Sequence, residues 1–310
     1  GRENIGGTWD LFKYPGVRSD SDMHTLGFEF KPWKADKSIA DGPSIMEYLR
    51  ETVVEHDLQR HMRFGERVVR AEWSTPHATW TVHTARSDGS QGVFECNYLF
   101  MCAGYYSYKS GYQPEFRGLD RFTGQIVHPQ QWPDDLDYTD KRVVVIGSGA
   151  TAVTLVPAMA DRAAHVTMLQ RSPTYIASVP SMDFIYDKMR KILPEDLAYK
   201  LTRARNIGMQ RGIYALAQKQ PKLLRKFLLK SLELQLKGKV DMKHFTPSYN
   251  PWDQRLCVVP DGDLFKILRS GQASVETDLI ERFTETGVLL KSGKHLDADI
   301  IISATGLDIQ

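Results

Sequence analysis

The sequence of 310 residues combines 42% hydrophobic with 25% charged residues, a composition typical of globular proteins that excludes disorder and collagen-like structure. The longest apolar runs, residues 143–146 and 300–302, are far too short to cross a bilayer of about 30 Å. Cys96, Cys102 and Cys257 lack CxxC spacing. Neither a disulfide framework nor a metal site is therefore predicted, and a reducing, cytoplasmic compartment is expected.

The first part of the chain is predicted to contain one helix and a β-meander. Residues 1–9 resemble the end of a loop, and we expect both ends to be cut from a longer protein. Ser44 and Glu47 form a capping-box pattern that opens a helix to about His56. Four β-rich runs then predict the strands of the meander, at residues 67–73, 80–84, 93–97 and 98–102.

A change of pattern at residue 141 predicts a strand–turn–helix–strand unit. The first strand covers residues 142–146 and leads into a glycine turn and a helix to about Ala160. The second strand covers residues 165–170. This βαβ order favours a parallel sheet in an α/β fold.

The following segment is predicted to be helical and strongly basic. One helix begins near Pro194, and a second covers residues 221–237 with an apolar leucine stripe. Residues 188–243 carry 15 Lys and Arg against 4 Asp and Glu, a net charge of +11 within a chain of net charge +2. From about Ser274 the pattern returns to β structure.

The glycine turn carries the clearest chemical signal of the unit. The turn and the helix start comprise Gly147, Ser148, Gly149, Ala150, Thr151 and Ala152. Directly after a strand, such a turn holds a pyrophosphate on the helix N-terminus. The alternative is a tight turn that binds nothing.

Arg171 and Ser172 follow the second strand, where NAD-binding units place an acidic residue on the ribose. An arginine there can pair with a 2′-phosphate, so NADPH is favoured over NADH. The alternative is a solvated surface arginine. Small residues that permit close approach of a nucleotide also end two strands, and they make Gly104, Thr305 and Gly306 further cofactor-binding candidates.

Residues 122–133 carry the most specific motif of the chain. Its fixed positions match the fingerprint FxGxxxHxxxW(P/D) throughout: Phe122, Gly124, His128, Trp132 and Pro133. The chain therefore resembles the Baeyer–Villiger flavin monooxygenase family, to which residues 6–9, 14–22 and 304–306 are also similar. Residues 249–256 resemble in particular the mycobacterial members that act on thioamides.

The resemblance implies an α/β fold with two Rossmann-like dinucleotide-binding domains, for FAD and NADPH, and a helical insertion. The glycine fingerprint of the FAD domain would lie before Gly1, so this fragment alone is expected to bind FAD poorly. The implied domains are an incomplete FAD domain at 1–135, the NADPH domain at 136–180 and 246–295, the insertion at 181–245, and a truncated return to the FAD domain at 296–310.

The resemblance also implies a reaction. In the family, NADPH reduces FAD, O₂ adds to the flavin as a C4a-peroxide, and this nucleophile converts ketones to esters or lactones; sulfur in thioamides or sulfides is a further target. Arg255 is carried over as the cation that stabilises negative oxygen, and Asp20 as the carboxylate that positions it. Without the family resemblance, the alternative for Asp20 is a turn residue in a Pro-Gly loop, and the alternative for Arg255 is an ion pair with Asp253 or a surface acid.

Further contacts are carried over from the same resemblance. Gly6, Gly7, Thr8 and Trp9 would lie along the flavin and its pyrophosphate, together with Asp20, and the Val68 backbone would lie near the adenine; the alternative is a glycine turn with a core tryptophan. His128 is interpreted as a structural or domain-coupling residue. At Gln254 many relatives have a lysine for the 2′-phosphate, so the preference for NADPH rests on Arg171.

Other functions remain open at this point. The Trp132-Pro133 ending disfavours a flavin-containing N- or S-hydroxylating monooxygenase, and the lack of CxxC disfavours a disulfide reductase. A non-catalytic NADPH-binding fragment is a third alternative. The expected partners are a small ketone or sulfur compound and O₂, with no nucleic acid. The basic segment is read as the family's insertion over the active site, as a peripheral membrane contact or as a solvated face.

Overall fold

The structure, a computed structural model, describes residues 1–309. Its α-helices are α1 (Thr8–Leu11), α2 (Met23–Leu26), α3 (Gly42–Glu55), α4 (Ala150–Met159), α5 (Phe184–Met189), α6 (Glu195–Lys219), α7 (Pro221–Leu236) and α8 (Asp263–Ser270). Its strands are β1 (Arg67–Ser74), β2 (Thr79–Ala85), β3 (Gln91–Cys96), β4 (Tyr106–Gly111), β5 (Gln125–Val127), β6 (Arg142–Ile146), β7 (His165–Gln170), β8 (Tyr175–Val179), β9 (Leu256–Pro260), β10 (Ala273–Thr277), β11 (Ile280–Thr284), β12 (Gly287–Leu290), β13 (His295–Asp297), β14 (Ile300–Ser303) and β15 (Leu307–Ile309). The mixed α/β class is as predicted.

The chain forms two compact units. Unit 1 comprises Gly1–Leu11, Pro43–Tyr108 and Ile309, and unit 2 comprises Phe12–Gly42 and Lys109–Asp308. These bounds are defined by the contacts within each unit, whereas the division implied by the family resemblance is defined by which cofactor each domain would bind. That division therefore stays a prediction.

Unit 2 is built on a parallel five-stranded sheet in the order β10-β7-β6-β14-β5. Val143 and Val145 pack on one face with α4 and α8, while Val144 and Ile146 pack on the other with the antiparallel sheet β11-β12-β13. A sheet covered on both faces needs apolar residues at successive positions, which explains the continuous run in β6. The predicted βαβ unit is confirmed as β6-α4-β7.

The basic segment of unit 2 is helical, as predicted, and forms α5, α6 and α7. The leucine stripe of α7 faces the protein, since Leu232 and Leu236 belong to the main core and Leu224 is buried. Lys237 ends this helix in the left-handed conformation with φ +52°. No helix within residues 1–309 has the length and apolar character needed to cross a membrane.

Unit 1 contains α3 and the antiparallel sheet β1-β2-β3. The predicted helix is confirmed as α3, and its Ile45 and Tyr48 are buried. The strand predicted at residues 98–102 is wrong: the chain is irregular there, and Tyr98, Phe100 and Met101 are exposed. A strand forms only when a neighbouring strand completes its hydrogen bonds, and the described residues provide none at this point.

Candidate functional site

The glycine turn between β6 and α4 has the geometry of a phosphate cradle. Gly147 adopts φ +134°, and a Cβ atom there would overlap the carbonyl oxygen of Ala304, so only glycine fits. Gly149 is the N-cap residue of α4. The first N–H groups of any helix lack backbone partners, and here they belong to Ala150, Thr151 and Ala152. The turn and helix start therefore fit the pyrophosphate of a dinucleotide.

Side chains on both sides hold this turn in place. The hydroxyl groups of Ser148 and Thr174 are 3.0 Å apart, and the Cys257 thiol donates to the Ser148 carbonyl oxygen at 3.6 Å. Burial raises the pKa of Tyr14, while a side-chain hydrogen bond with Thr151 lowers it in part. These contacts fix the backbone of the cradle without occupying its helix N-terminus.

Arg255 lies directly at this helix N-terminus. A Cβ atom on Gly149 would overlap the Arg255 guanidinium group, so the absence of a side chain at Gly149 makes room for the cation. Arg255 forms no ion pair with any acidic residue among 1–309, and Asp253 instead accepts a hydrogen bond from the Asn250 N–H. Arg255 therefore does not pair with Asp253 at the surface. The exposed guanidinium adds positive charge where the helix dipole is already positive.

Asp20 lies on the loop that precedes α2. Its carboxylate is exposed and has no hydrogen bond or ion pair within the described part of the chain. The loop itself is anchored, because the Ser19 N–H donates to the Ala40 carbonyl oxygen at 2.8 Å and the Ser19 hydroxyl accepts from the Ala40 N–H at 3.1 Å. An unpaired carboxylate on an anchored loop is free to interact with a bound molecule.

Asp20 and Arg255 both lie close enough to the Cys257 thiol to affect its pKa. Burial raises its pKa to about 11, the Arg255 charge opposes this rise, and the Asp20 charge adds to it. No ion pair joins Asp20 and Arg255 directly in the described residues, so the positioning of Arg255 by Asp20 stays a prediction. Both charges nevertheless act on the same buried atom beside the glycine turn.

Arg171 and Ser172 are exposed immediately after β7. Arg171 forms no hydrogen bond or ion pair with residues 1–309, which leaves its guanidinium available to a phosphate. β6 and β7 are adjacent parallel strands, so their carboxyl ends lie at one edge of the sheet. The glycine turn and Arg171 follow these two strands, the placement typical of dinucleotide sites.

The loop after β14 is fixed by the fingerprint histidine. The Nδ1 atom of His128 accepts from the Gln130 N–H at 3.2 Å, so Nε2 carries the proton and donates to the Gly306 carbonyl oxygen at 3.1 Å. Burial lowers the pKa of His128, although the bond to Gly306 opposes this. The neighbouring Thr305 hydroxyl donates to the Tyr112 carbonyl oxygen at 2.6 Å. In the structure, His128 holds the backbone of this loop as a neutral imidazole.

The remaining fingerprint residues also have packing contacts. Phe122 packs against Phe283, with ring centroids 6.5 Å apart. A Cβ atom on Gly124 would overlap the carbonyl oxygen of Asp299. Trp132 contacts the main core of unit 2. Each of these residues stabilises the surroundings of the parallel sheet.

The flavin candidates Gly6, Gly7, Thr8, Trp9, Val68 and Gly104 all belong to unit 1. Gly6 and Gly7 have φ values of +101° and +51°, and a Cβ atom on Gly6 would overlap the Met46 sulfur on α3. The hydroxyl groups of Thr8 and Tyr106 are 2.6 Å apart. Val68 and Gly104 are exposed. Unit 1 thus contains a tight glycine turn packed on a helix, which fits the backbone of a nucleotide site.

Sequence reasoning assigned no role to two residues that position the Asp20 loop. Gly16, with φ +75°, packs on α4 so closely that a Cβ atom would lie 2.7 Å from the Cβ atom of Ala158. Tyr14 bonds to Thr151 in the first turn of the same helix. The dipeptide Pro15-Gly16 indicates a turn, but nothing local indicates that this turn lies against α4.

A parallel sheet, a glycine turn at a helix N-terminus and unpaired arginines define a dinucleotide-binding α/β protein. The family model described as flavin-binding monooxygenase-like matches residues 37–310, so the chain belongs to the FMO-like flavin monooxygenase family. The family-level resemblance predicted from the motifs is therefore confirmed.

Named relatives agree with this family. Over 310 residues the chain is 68% identical to the probable FAD-binding monooxygenase AlmA of Acinetobacter baylyi, and covers 100% of its own length and 62% of that protein. It is 55% identical over 311 residues to the FAD-containing monooxygenase EthA of Mycobacterium tuberculosis, with 100% and 63% coverage. The chain thus spans less than two thirds of these relatives.

Solved structures show the same fold. An oxidized steroid monooxygenase bound to NADP is 26% identical with a TM-score of 0.77, over 99% of this chain and 65% of that one. Cyclohexanone monooxygenase bound to ε-caprolactone is 22% identical with a TM-score of 0.78, over 99% and 67%. At that identity the second likeness concerns the fold alone.

Proposed function

We propose that the whole protein is an FAD- and NADPH-dependent monooxygenase of the Baeyer–Villiger type, which inserts one oxygen atom of O₂ into ketones and also oxidises sulfur in thioamides or sulfides. The overall change consumes the ketone, O₂, NADPH and a proton, and yields the ester, NADP⁺ and water. The unpaired Arg255 guanidinium beside the glycine turn is the observation that carries this proposal. The fingerprint at residues 122–133, the relative named as an FAD-binding monooxygenase and the NADP-bound structural neighbour support it.

In this proposal NADPH binds to unit 2. The N–H groups at the start of α4 hold the pyrophosphate, and Arg171 pairs with the 2′-phosphate through a charge-assisted hydrogen bond. Ser172, Thr305 and Gly306 lie on the loops that follow β7 and β14, the two strands that flank β6 in the same sheet. Gly6, Gly7, Thr8, Trp9, Val68 and Gly104 contribute to the flavin site of the complete protein.

Arg255 acts by its fixed charge. The bound flavin supplies the activated oxygen and the bound NADPH supplies the electrons. A guanidinium group keeps its proton at any working pH, so Arg255 stabilises negative charge on oxygen without a proton transfer of its own. Asp20 and Arg255 act on the buried thiol of Cys257 with opposite sign, so the Asp20 carboxylate offsets part of the positive charge there.

The test uses the full-length protein loaded with FAD, and it compares Arg255→Ala with Arg171→Ala. Arg255→Ala is expected to keep the bleaching of flavin absorbance by NADPH without oxygen, and to lose ester formation from a methyl ketone by at least about 100-fold, the size of a lost oxyanion contact. Arg171→Ala is expected to raise KM for NADPH about tenfold and to leave kcat nearly unchanged.

The matched control is Arg211→Ala, since Arg211 is exposed on α6 and makes no ion pair with residues 1–309. It is expected to behave as the unmodified protein. Undiminished ester formation by Arg255→Ala would contradict the proposal. Oxidation of sulfides and amines with no ester from any ketone would favour an N- or S-hydroxylating enzyme instead.

We place the reaction in the reducing cytoplasm, in accord with the three free cysteines.

A further inference from the structure

Helix α6 holds the segment that directly follows Asp20. Arg203 on this helix directs one nitrogen, Nη1, at three backbone carbonyl oxygens of α2 and its C-terminus. The distances are 2.9 Å to His24, 2.8 Å to Thr25 and 3.2 Å to Gly27. The last carbonyl groups of a helix lack intrahelical partners, so the guanidinium group satisfies them and fixes the end of α2.

A second contact holds the other end of α2. Asp22 is its N-cap residue and accepts from the Thr25 N–H at 3.0 Å. The Asn206 side-chain amide donates to the same Asp22 oxygen at 2.9 Å, and the Gln210 amide donates to the other oxygen at 3.2 Å. Because Asn206 is buried, its bond is shielded from water and fixes the Asp22 carboxylate.

Asn206 is itself held in one orientation. Its side-chain oxygen accepts from Arg205 Nε at 3.0 Å and from Arg205 Nη2 at 2.7 Å, so its amide nitrogen must point to Asp22. Arg205 also pairs with Asp183, the N-cap residue of α5. The chain of contacts runs from α5 through Arg205 and Asn206 to Asp22.

The ring of His24 fills the space between these helices. It is almost fully buried and lies 4.4 Å from the Tyr186 ring and 6.2 Å from the Tyr199 ring. Burial lowers the pKa of His24, although Asp183 and Asp22 oppose this. His24 therefore packs as an aromatic ring and adds a rigid contact between α2 and the helical segment.

Asp20 lies between two anchored positions. On one side, Ser19 forms two hydrogen bonds with Ala40, and Arg18 pairs with Asp263. On the other, Asp22 is held by α6 two residues further along. Asp20 is the exposed residue between them, and its own carboxylate has no partner among residues 1–309. Its position is therefore set entirely by its neighbours.

We propose that Arg203 and Asn206 are positioning residues for Asp20, and that α6 holds this carboxylate in place for the reaction. The proposal rests on the proposed function, in which Asp20 contributes to the charge around Arg255. Towards the Asp20 loop, Arg203 contacts backbone carbonyl groups and Asn206 contacts Asp22, so both act through the loop and not on Asp20 itself. The helical segment thereby contributes to catalysis beyond covering a site.

The primary test is Asn206→Asp in the full-length, FAD-loaded protein. The new carboxylate keeps both bonds from Arg205 but repels Asp22, so the loop should lose its anchor. Ester formation is expected to fall about tenfold, the size of one lost hydrogen bond to a charged group, while anaerobic bleaching by NADPH and KM for NADPH stay within about twofold. More of the oxidised NADPH should then yield hydrogen peroxide.

The exchanged pair Asp22→Asn with Asn206→Asp tests the contact itself. It reverses donor and acceptor and restores the bond between positions 22 and 206, but the new amide nitrogen replaces the oxygen that also accepts from the Thr25 N–H. Ester formation is therefore expected to recover in part, to within about threefold of the unmodified protein. A purely structural effect of the first change would not be rescued in this way. The matched control is Arg211→Gln, which lowers the net charge of α6 by one unit, as Asn206→Asp does, at an exposed position; it should change nothing.

Hydrogen exchange supplies a readout that does not depend on activity. The N–H groups of Thr25, Leu26 and Gly27 should exchange faster in Asn206→Asp, while those of α4 stay protected. If α4 also loses protection, the milder Gln210→Met is used, because Gln210 is exposed and makes only the outer bond to Asp22. Gln210→Met should lower the rate of ester formation about twofold.

The outcomes separate the two proposals. Ester formation by Asn206→Asp at the unmodified rate, with faster exchange at residues 25–27, would overturn the positioning role even though the anchor is lost. Ester formation by the exchanged pair that is no faster than that of Asn206→Asp alone would overturn it as well. Undiminished ester formation by Arg255→Ala would instead contradict the proposed function itself.

Discussion

The sheets of the two units differ in how far they are covered. In unit 2, Val145 and Ile301 are 0% exposed and the parallel sheet is packed on both faces. In unit 1, Val68, Val69 and Val93 of the antiparallel sheet are 53%, 52% and 59% exposed. A βαβ unit brings its own covering helix, whereas a meander does not. The same residue type therefore has a different energetic weight in each sheet.

The largest effect should distinguish the two sheets directly. Phe283 on β11 is fully buried against Phe116 and Phe122, so Phe283→Ala is expected to lower the free energy of unfolding by about 3–5 kcal/mol. Val93→Ala in unit 1 should change it by less than about 0.5 kcal/mol. Urea unfolding of both variants measures this difference, and equal effects would break the comparison.

A smaller effect is expected at the glycine turn of unit 2. Gly147→Ala combines a positive φ with an overlap on the Ala304 carbonyl oxygen, and should cost about 2–3 kcal/mol. In Gly149→Ala the overlap is with the flexible end of the Arg255 side chain, and Gly149 has φ −81°. The free energy of unfolding should therefore change by less than about 1 kcal/mol. Thermal unfolding compares them, and the reverse order would contradict the assignment of strain.

The edge of the parallel sheet should show a dependence on pH. Hydrogen bonds from Arg142, the largest cause, lower the pKa of Asp299 to about 2. A lowered pKa stabilises the fold above the unfolded value of about 4, and this contribution disappears as pH falls from there to about 2. Asp299→Asn should therefore be less stable than the unmodified protein at pH 7 and equal to it near pH 2. Unfolding midpoints across this range provide the check, with Asp161→Asn as the control, because Asp161 is exposed and makes no hydrogen bond or ion pair with residues 1–309.

The smallest effect is a gain of stability in the helical segment. Gly208 lies inside α6 with open space around it, so Gly208→Ala should stabilise the protein by about 0.5–1 kcal/mol. Gly212→Ala has the same surroundings and serves as a replicate. A loss of stability in both variants would mean that the bare backbone of α6 is needed for a close contact.

The sequence pattern predicted those elements whose contacts lie close together along the chain. β6, the glycine turn and α4 follow one another within 20 residues, and the pattern of residues 142–160 indicated all three. The strand predicted at residues 98–102 was wrong because a β-rich run alone cannot provide a neighbouring strand. The contact of Arg203 with Thr25 joins residues 178 positions apart, and an arginine within a basic helix gives no sign of its partner. Site residues held by such distant contacts require the folded structure.

The thiol of Cys257 offers a chemical window on the glycine turn. It is 3% exposed, it donates to the Ser148 carbonyl oxygen, and its pKa of about 11 leaves almost no thiolate at neutral pH. Alkylating reagents should therefore modify the exposed Cys102 first and reach Cys257 only when the turn opens. The slow labelling rate of Cys257 would thus measure how often the turn opens, with no probe attached to the protein beforehand.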